Sequence, residues 1–143
     1  MDSRAALHRL ETAFSTLRPD TVGVIRELYA DHAWFKDPFN EVHDSAAIER
    51  IFAHMFEQLV EPRFVIVERT LEGRDAWLAW NLDYRVRAAG PQRRIHGASH
   101  LVFGEDGRVL RHRDYWDTAE ELYESVPLLG SVLRMIKSRL RAS

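Results

Sequence analysis

From Phe64 to Tyr115 the chain alternates apolar and polar residues with period two. Four long runs are separated by turn residues, and that pattern reads as an antiparallel meander. Phe64 to Leu71 is the first run, closed by Glu72-Gly73-Arg74-Asp75. Ala76 to Ala88 is the second, closed by Ala89-Gly90-Pro91. Gln92 to Phe103 is the third, closed by Glu105-Asp106-Gly107, and Arg108 to Tyr115 is the last. In the second run Trp80, Leu82, Tyr84 and Val86 share one face, opposite Asn81, Asp83, Arg85 and Arg87. Leu82 and Val86 read as core. Trp80 and Tyr84 carry polar tips that need partners when buried, which suits a pocket wall.

Ahead of the meander the apolar period is helical. Ala5, Ala6, Leu7, Leu10, Ala13, Phe14 and Leu17 predict an amphipathic helix over residues 3–17, broken by Arg18-Pro19-Asp20. Asp20 or Thr21 caps a second helix, Val22 to Tyr29, and Ala33 to Asp37 is a short strand. Asp44 or Ser45 caps a third helix, with Ile48, Ile51, Phe52, Met55, Phe56 and Leu59 on its apolar side and Pro62 ending it. Three helices followed by four strands give an α+β chain, and a curved sheet of this kind can wrap around its helices.

A length of 143 residues fits one domain with a sizeable core. The net charge of −2 gives no electrostatic case for nucleic acid, and the lack of cysteine excludes disulfide and thiolate chemistry. No apolar run reaches the roughly 20 residues of a membrane span and no signal-peptide core is present, so the expected compartment is the cytoplasm. There is no glycine-rich phosphate loop, so no cofactor is expected. His96 and His100 share a strand face but stand roughly 13 Å apart, too far for joint ligation of a metal.

The tail has a polarity of its own. Asp114 to Glu124 carries five acids and no Lys or Arg, whereas Arg134, Lys137, Arg139 and Arg141 crowd the end. Thr118 caps a helix through Tyr123, and Pro127 starts another over residues 127–140, with Leu128, Leu129, Val132, Leu133, Ile136 and Leu140 on one side. This C-terminal extension, residues 118–143, packs on the protein's own body near the cavity mouth or rests as a basic amphipathic helix on an anionic membrane surface.

Two carboxylates attract chemical interest. Asp37 lies between Phe35 and Pro38-Phe39. The proline holds it extended, and poor hydration there would raise its pKa and make it a usable base. The competing reading is a strand-end Asp bonded to nearby backbone amides. Asp114 precedes Tyr115-Trp116; if it faces the cavity with Trp116 it becomes a second interior acid, and two acids in unequal surroundings can divide proton removal from proton donation.

Tyr29-Ala30-Asp31 and Asp37-Pro38-Phe39, with Phe103-Gly-Glu-Asp-Gly-Arg-Val109 and Asp114-Tyr-Trp-Asp117 far downstream, resemble the nuclear transport factor 2-like superfamily, in the branch of ketosteroid isomerases and SnoaL-type polyketide cyclases. The match spans residues 5–117. It implies a single domain over residues 1–143, with a cone-shaped curved antiparallel sheet wrapped around three N-terminal helices and an added C-terminal helix. It also implies a homodimer through the open sheet face. In the isomerases the Asp of this Asp-Pro is the catalytic base, which points to Asp37. The cyclases pair an Asp on the last strand with a His on the strand before it, and Asp114 with His100 resembles that pair. A two-residue Asp106-Gly107 turn would set Ser99 opposite Asp114, and a one-residue bulge would set His100 there.

The isomerase oxyanion hole, a Tyr on the first helix and an Asp on the third long strand, falls here on Ala13 or Phe14 and on Ser99. Both strong donors are missing. Asp37, Asp114 and His100 are thus the candidate catalytic residues, and Phe14, Trp80, Tyr84, Ser99, His112 and Trp116 the candidate ligand contacts. Three readings stand: an isomerase-, cyclase- or dehydratase-type enzyme acting on a small apolar molecule, a non-catalytic binder of such a molecule, and an interaction or membrane-peripheral module using the tail.

Overall fold

The computed structural model describes residues 2–117 and 138–139. The tail helices expected after Thr118 lie outside the described residues, apart from 138–139, which are helical. The first helix, α1, runs Ser3–Ser15, and the Asp2 carboxylate caps it by accepting the backbone N–H of Arg4 at 3.0 Å and of Ala5 at 3.3 Å. A 3-10 turn, Pro19–Val24, leads into a single helical turn, α2, Ile25–Leu28. The second helix is therefore shorter than expected, because Tyr29 already pairs with Val109 in the sheet. Strand β1 is Tyr29–Lys36 and β2 is Glu41–Val42. Helix α3, Ser45–Gln58, is capped by Asp44, whose Oδ1 accepts the Ala47 N–H at 2.7 Å. The meander follows as β3 Val60–Glu72, β4 Asp75–Arg85, β5 Arg93–Phe103 and β6 Val109–Tyr115.

The six strands form one open curved sheet in the order β2-β1-β6-β5-β4-β3. It is mixed rather than wholly antiparallel, because β1 joins the free edge of β6 and runs parallel to it, with Phe35 beside His112. Strand β3 starts at Val60, ahead of Pro62. It is an edge strand, where a residue without N–H is tolerated, and Glu61 takes a positive φ of 50° at the irregularity. Further register shifts at Val67 and at Leu110 bend the sheet.

Alternation then sorts the faces. Ala76, Leu78, Trp80, Leu82 and Tyr84 of β4 are buried, as are Ile95, Ser99, Leu101 and Phe103 of β5. Helices α1 and α3 fill the concave side with Leu7, Leu10, Phe14, Ile48, Ile51, Phe52 and Met55. Among the described residues no helix is long and apolar enough to cross a membrane.

Gly97 is the partner of Trp80 across β4 and β5. A Cβ there would lie 2.6 Å from the Trp80 ring and 3.1 Å from Trp116 Cβ, so the glycine makes room for the indole. Gly97→Ala is expected to lower stability by about 1–3 kcal/mol through overpacking. Urea unfolding checks this, and an unchanged midpoint would show that the indole moves aside freely.

Candidate functional site

The concave face encloses a chamber of about 60 Å³. Its walls are the rings of Phe35, Phe39, Phe52, Phe64, Trp80 and Trp116, with Met55, Leu82 and Ile95, and two carboxylates reach it, Asp37 and Asp114. A second space of about 30 Å³ shares Phe52, Phe64, Trp80 and Asp114 with the first. It is bounded by Leu10, Phe14, Ile66, Leu78 and Leu101 and includes Ser99 and His112. Outside, Asp37, Asp114 and Trp116 also border a surface groove of about 480 Å³ with Lys36, Arg113 and Asp117.

Asp114 is the acceptor on which two hydrogen-bond arms end. On one arm the indole N–H of Trp80 donates to Ser99 Oγ at 2.8 Å, and the Ser99 hydroxyl donates to Asp114 Oδ1 at 2.5 Å. An indole N–H only donates, so Ser99 accepts from Trp80 and its own proton goes to Asp114. On the other arm His112 Nε2 lies 2.6 Å from the same Oδ1, and His112 Nδ1 lies 2.6 Å from the Tyr29 hydroxyl. Tyr29 is fully buried, and burial followed by the charge of Asp114 pushes its pKa well above the usual phenol range. A phenol held neutral donates its proton to Nδ1, which assigns His112 as the Nε2–H tautomer donating to Asp114. Among the described residues both arms use Oδ1, and Oδ2 has no such partner.

Asp37 ends β1 in a tight turn. Its Oδ1 accepts the backbone N–H of Phe39 at 2.8 Å and of Asn40 at 2.6 Å, while the Asn40 amide reaches Oδ2 at 3.3 Å. The amide-capped turn and the perturbed acid are thus both present. Burial, and next the charge of Asp114, push the Asp37 pKa up to about 6, against the opposing pull of those N–H donors.

The structure gathers Asp37, Asp114, Trp80 and Trp116 at one chamber, with Phe14, Ser99 and His112 at the adjoining space. Two expected residues lie elsewhere. His100 is opposite Arg113 and faces away from the chamber, stacked on Trp77 at 4.8 Å and bonded to Asp75 at 2.9 Å. Its place opposite Asp114 is taken by Ser99. The reason is Leu110, a bulged residue that sets the register as a two-residue turn would have done. The histidine that meets Asp114 is His112, two residues away on the same strand, where alternation puts it on the same face. Tyr84 is buried on the concave side but borders a different groove, with Leu17, Phe56 and Arg63, near the start of β3. Tyr29 went unassigned from sequence. Nothing in its own segment signals the role, which depends on β1 pairing in parallel with β6.

The raised Asp37 pKa has a sign. Between about pH 4 and 6 the folded state binds the proton that the unfolded state has lost, so stability falls as pH rises through that window and levels off above it. Asp37→Asn keeps an oxygen for the turn and removes the charge. It should therefore be more stable than the parent at pH 8, by up to about 3 kcal/mol, with the gap closing toward pH 4. Denaturant melts at the two pH values check this; a variant less stable at pH 8 would place the charge in a compensated setting.

The model of the SnoaL-like domain matches residues 8–112. Among solved structures, a protein with a ketosteroid isomerase-like fold from Catenulispora acidiphila, in complex with trimethylamine, superposes with a TM-score of 0.70 at 14% identity, covering 84% of this chain and 91% of that one. A candidate SnoaL-like polyketide cyclase from Jannaschia sp. CCS1 gives 0.70 at 15%, covering 82% and 87%. An LEH-like epoxide hydrolase from M. tuberculosis gives 0.67 at 14%, covering 94% and 95%. No curated protein matches the sequence. The chain belongs to the SnoaL-like domain family, and its fold is that of nuclear transport factor 2-like proteins. At such low identities the solved structures establish the fold, while the chemistry has to come from this chain's own residues.

Proposed function

We propose that the protein is an acid–base enzyme acting on a small molecule with an apolar body, with Asp114 and Asp37 as its proton-transfer groups. One observation carries this reading: two carboxylates in unequal surroundings share one apolar chamber. Asp114, anchored through Oδ1, keeps Oδ2 for a substrate proton. Asp37, with a pKa of about 6, changes protonation close to neutrality and is suited to return a proton. The similarity to folds that carry cyclases and hydrolases supports an enzyme without selecting its reaction. A panel of small enolisable ketones in D₂O tests it by NMR. The parent should catalyse exchange α to the carbonyl, and Asp114→Asn should lose about 10²–10⁴-fold of it. Exchange no faster than buffer across the panel would overturn the enzymatic reading.

A second reading, an interaction module rather than a small-molecule enzyme, is favoured by the size of the chamber. About 60 Å³ is far below the roughly 300 Å³ at which ordinary ligand pockets begin. The same observation argues against steroid isomerisation, as does the lack of a Tyr/Asp oxyanion hole. Phe14 has no hydroxyl, and the Ser99 proton is already given to Asp114. Turnover of a Δ5-3-ketosteroid is expected to be undetectable at enzymatic rates, since each lost donor costs about 10²–10³ in rate. Efficient conversion in a spectrophotometric assay would refute this.

We further propose that the convex sheet face pairs with a second copy of the chain. Trp77, Tyr115, Val65 and Val67 are exposed there. Light scattering of the purified chain should give a dimer mass, and Trp77→Glu should give a monomer.

A further inference from the structure

If the chamber is the ligand site, as proposed above, its walls also say something about the ligand's charge. Six aromatic rings surround it and, among the described residues, no Lys or Arg lines it. The rings stand steeply to one another: 73° for Phe35 and Phe52, 68° for Phe52 and Phe64, 85° for Phe64 and Trp80, 74° for Phe39 and Trp116. Rings packed edge to face in this way line the space with aromatic surface, whose π-faces are electronegative.

Two carboxylates add formal negative charge to that wall. Among the described residues, the cations that border the outer groove are engaged there. Lys36 Nζ lies 3.6 Å from Glu41, and the Arg113 guanidinium covers the Tyr115 ring at 4.8 Å. His112 is committed to Asp114 and Tyr29. An anionic ligand would meet two like charges in a poorly hydrated space, with the Trp80 N–H already spent on Ser99. A neutral one would leave those charges uncompensated. A cation is attracted both by ring faces within about 6 Å and by the carboxylates.

We propose that the ligand presents a compact alkylammonium group and that the aromatic chamber, with Asp37 and Asp114, is where this cation sits. Size agrees. A space of about 60 Å³, where a water needs roughly 10–15 Å³, suits a small branched head group rather than an extended ring system. The surface groove shared by Asp37, Asp114 and Trp116 leaves room outside for the remainder of such a ligand.

The test compares tetramethylammonium with tert-butanol, a neutral probe of similar shape, at matched ionic strength. Binding is followed through the indole N–H signals of Trp80 and Trp116 in ¹H–¹⁵N spectra. Tetramethylammonium should bind at least ten-fold more tightly than tert-butanol at pH 8, and should weaken at pH 5, where Asp37 is protonated. Asp114→Asn, which keeps an acceptor for Ser99 and His112, should lose ten-fold or more of the affinity for the cation and none for the alcohol. Asp37→Asn should abolish the difference between pH 5 and pH 8. Equal affinity for the two probes would overturn the cation assignment while leaving an apolar ligand site. Indole signals unmoved by tetramethylammonium would overturn it as well. The ketone-exchange assay judges the catalytic reading separately, since it needs no ammonium group.

Discussion

The Asp114 carboxylate holds the concave face together. Tyr29 comes from β1, Trp80 from β4, Ser99 from β5, and His112 with Asp114 from β6, and their donors form two arms that end on one oxygen. A buried polar network of this kind is stabilising when complete and costly when any member is left unpaired. Each bond therefore also selects a strand register. Sliding β6 by one residue against β5 would put Arg113 inside and leave the Ser99 hydroxyl and the Tyr29 phenol without their acceptors. The apolar core sets which face is inward; the network fixes which residue stands opposite which.

That division explains what was legible in the sequence. Period-two alternation marks Trp80, Leu82 and Tyr84 as inward-facing, and helical periodicity marks Leu10, Phe14, Phe52 and Met55, because both follow from burial of one face. The Asp-Pro at the end of β1 marks Asp37, because proline restricts its neighbour locally. His112 and Asp114 share a parity on one strand, so their pairing was readable as well, although the family pattern drew attention to His100. The bulge at Leu110 left no local trace, nor did the parallel docking of β1 on β6 that delivers Tyr29 to His112. Both are set by non-local pairing, where the fit of whole strands decides. Pro62, expected to end the third helix, instead lies inside β3 after a helix that ends at Gln58, because a residue without N–H is tolerated on an edge strand.

Asp37 shows how burial outweighs local hydrogen bonding. Two backbone N–H groups and a side-chain amide favour its anion, as they do in any such turn. The aromatic wall removes water from that anion, and Asp114 adds a like charge. The two raising effects win, so Asp37 titrates near neutral pH while sitting in a geometry that elsewhere marks a permanently ionised group. The two carboxylates also differ in their hydrogen-bond partners. Asp114 has acidic protons donated to it by a hydroxyl and an imidazole, whereas Asp37 has only amides.

Because the chamber is small and poorly hydrated, its charge and its contents are coupled. With both carboxylates ionised, the anions repel across an apolar space, and there are two ways to relieve this: a proton on Asp37 or a cation between the rings. The two compete for the same negative charge. By linkage, a cation that binds only the doubly ionised chamber must lower the apparent pKa of Asp37 as it binds, and protonation must weaken the cation in equal measure. A neutral ligand has no such effect beyond the water it displaces, which would push Asp37 further up. The direction in which Asp37 moves when the chamber fills therefore reports the charge of whatever fills it, before the ligand itself is known.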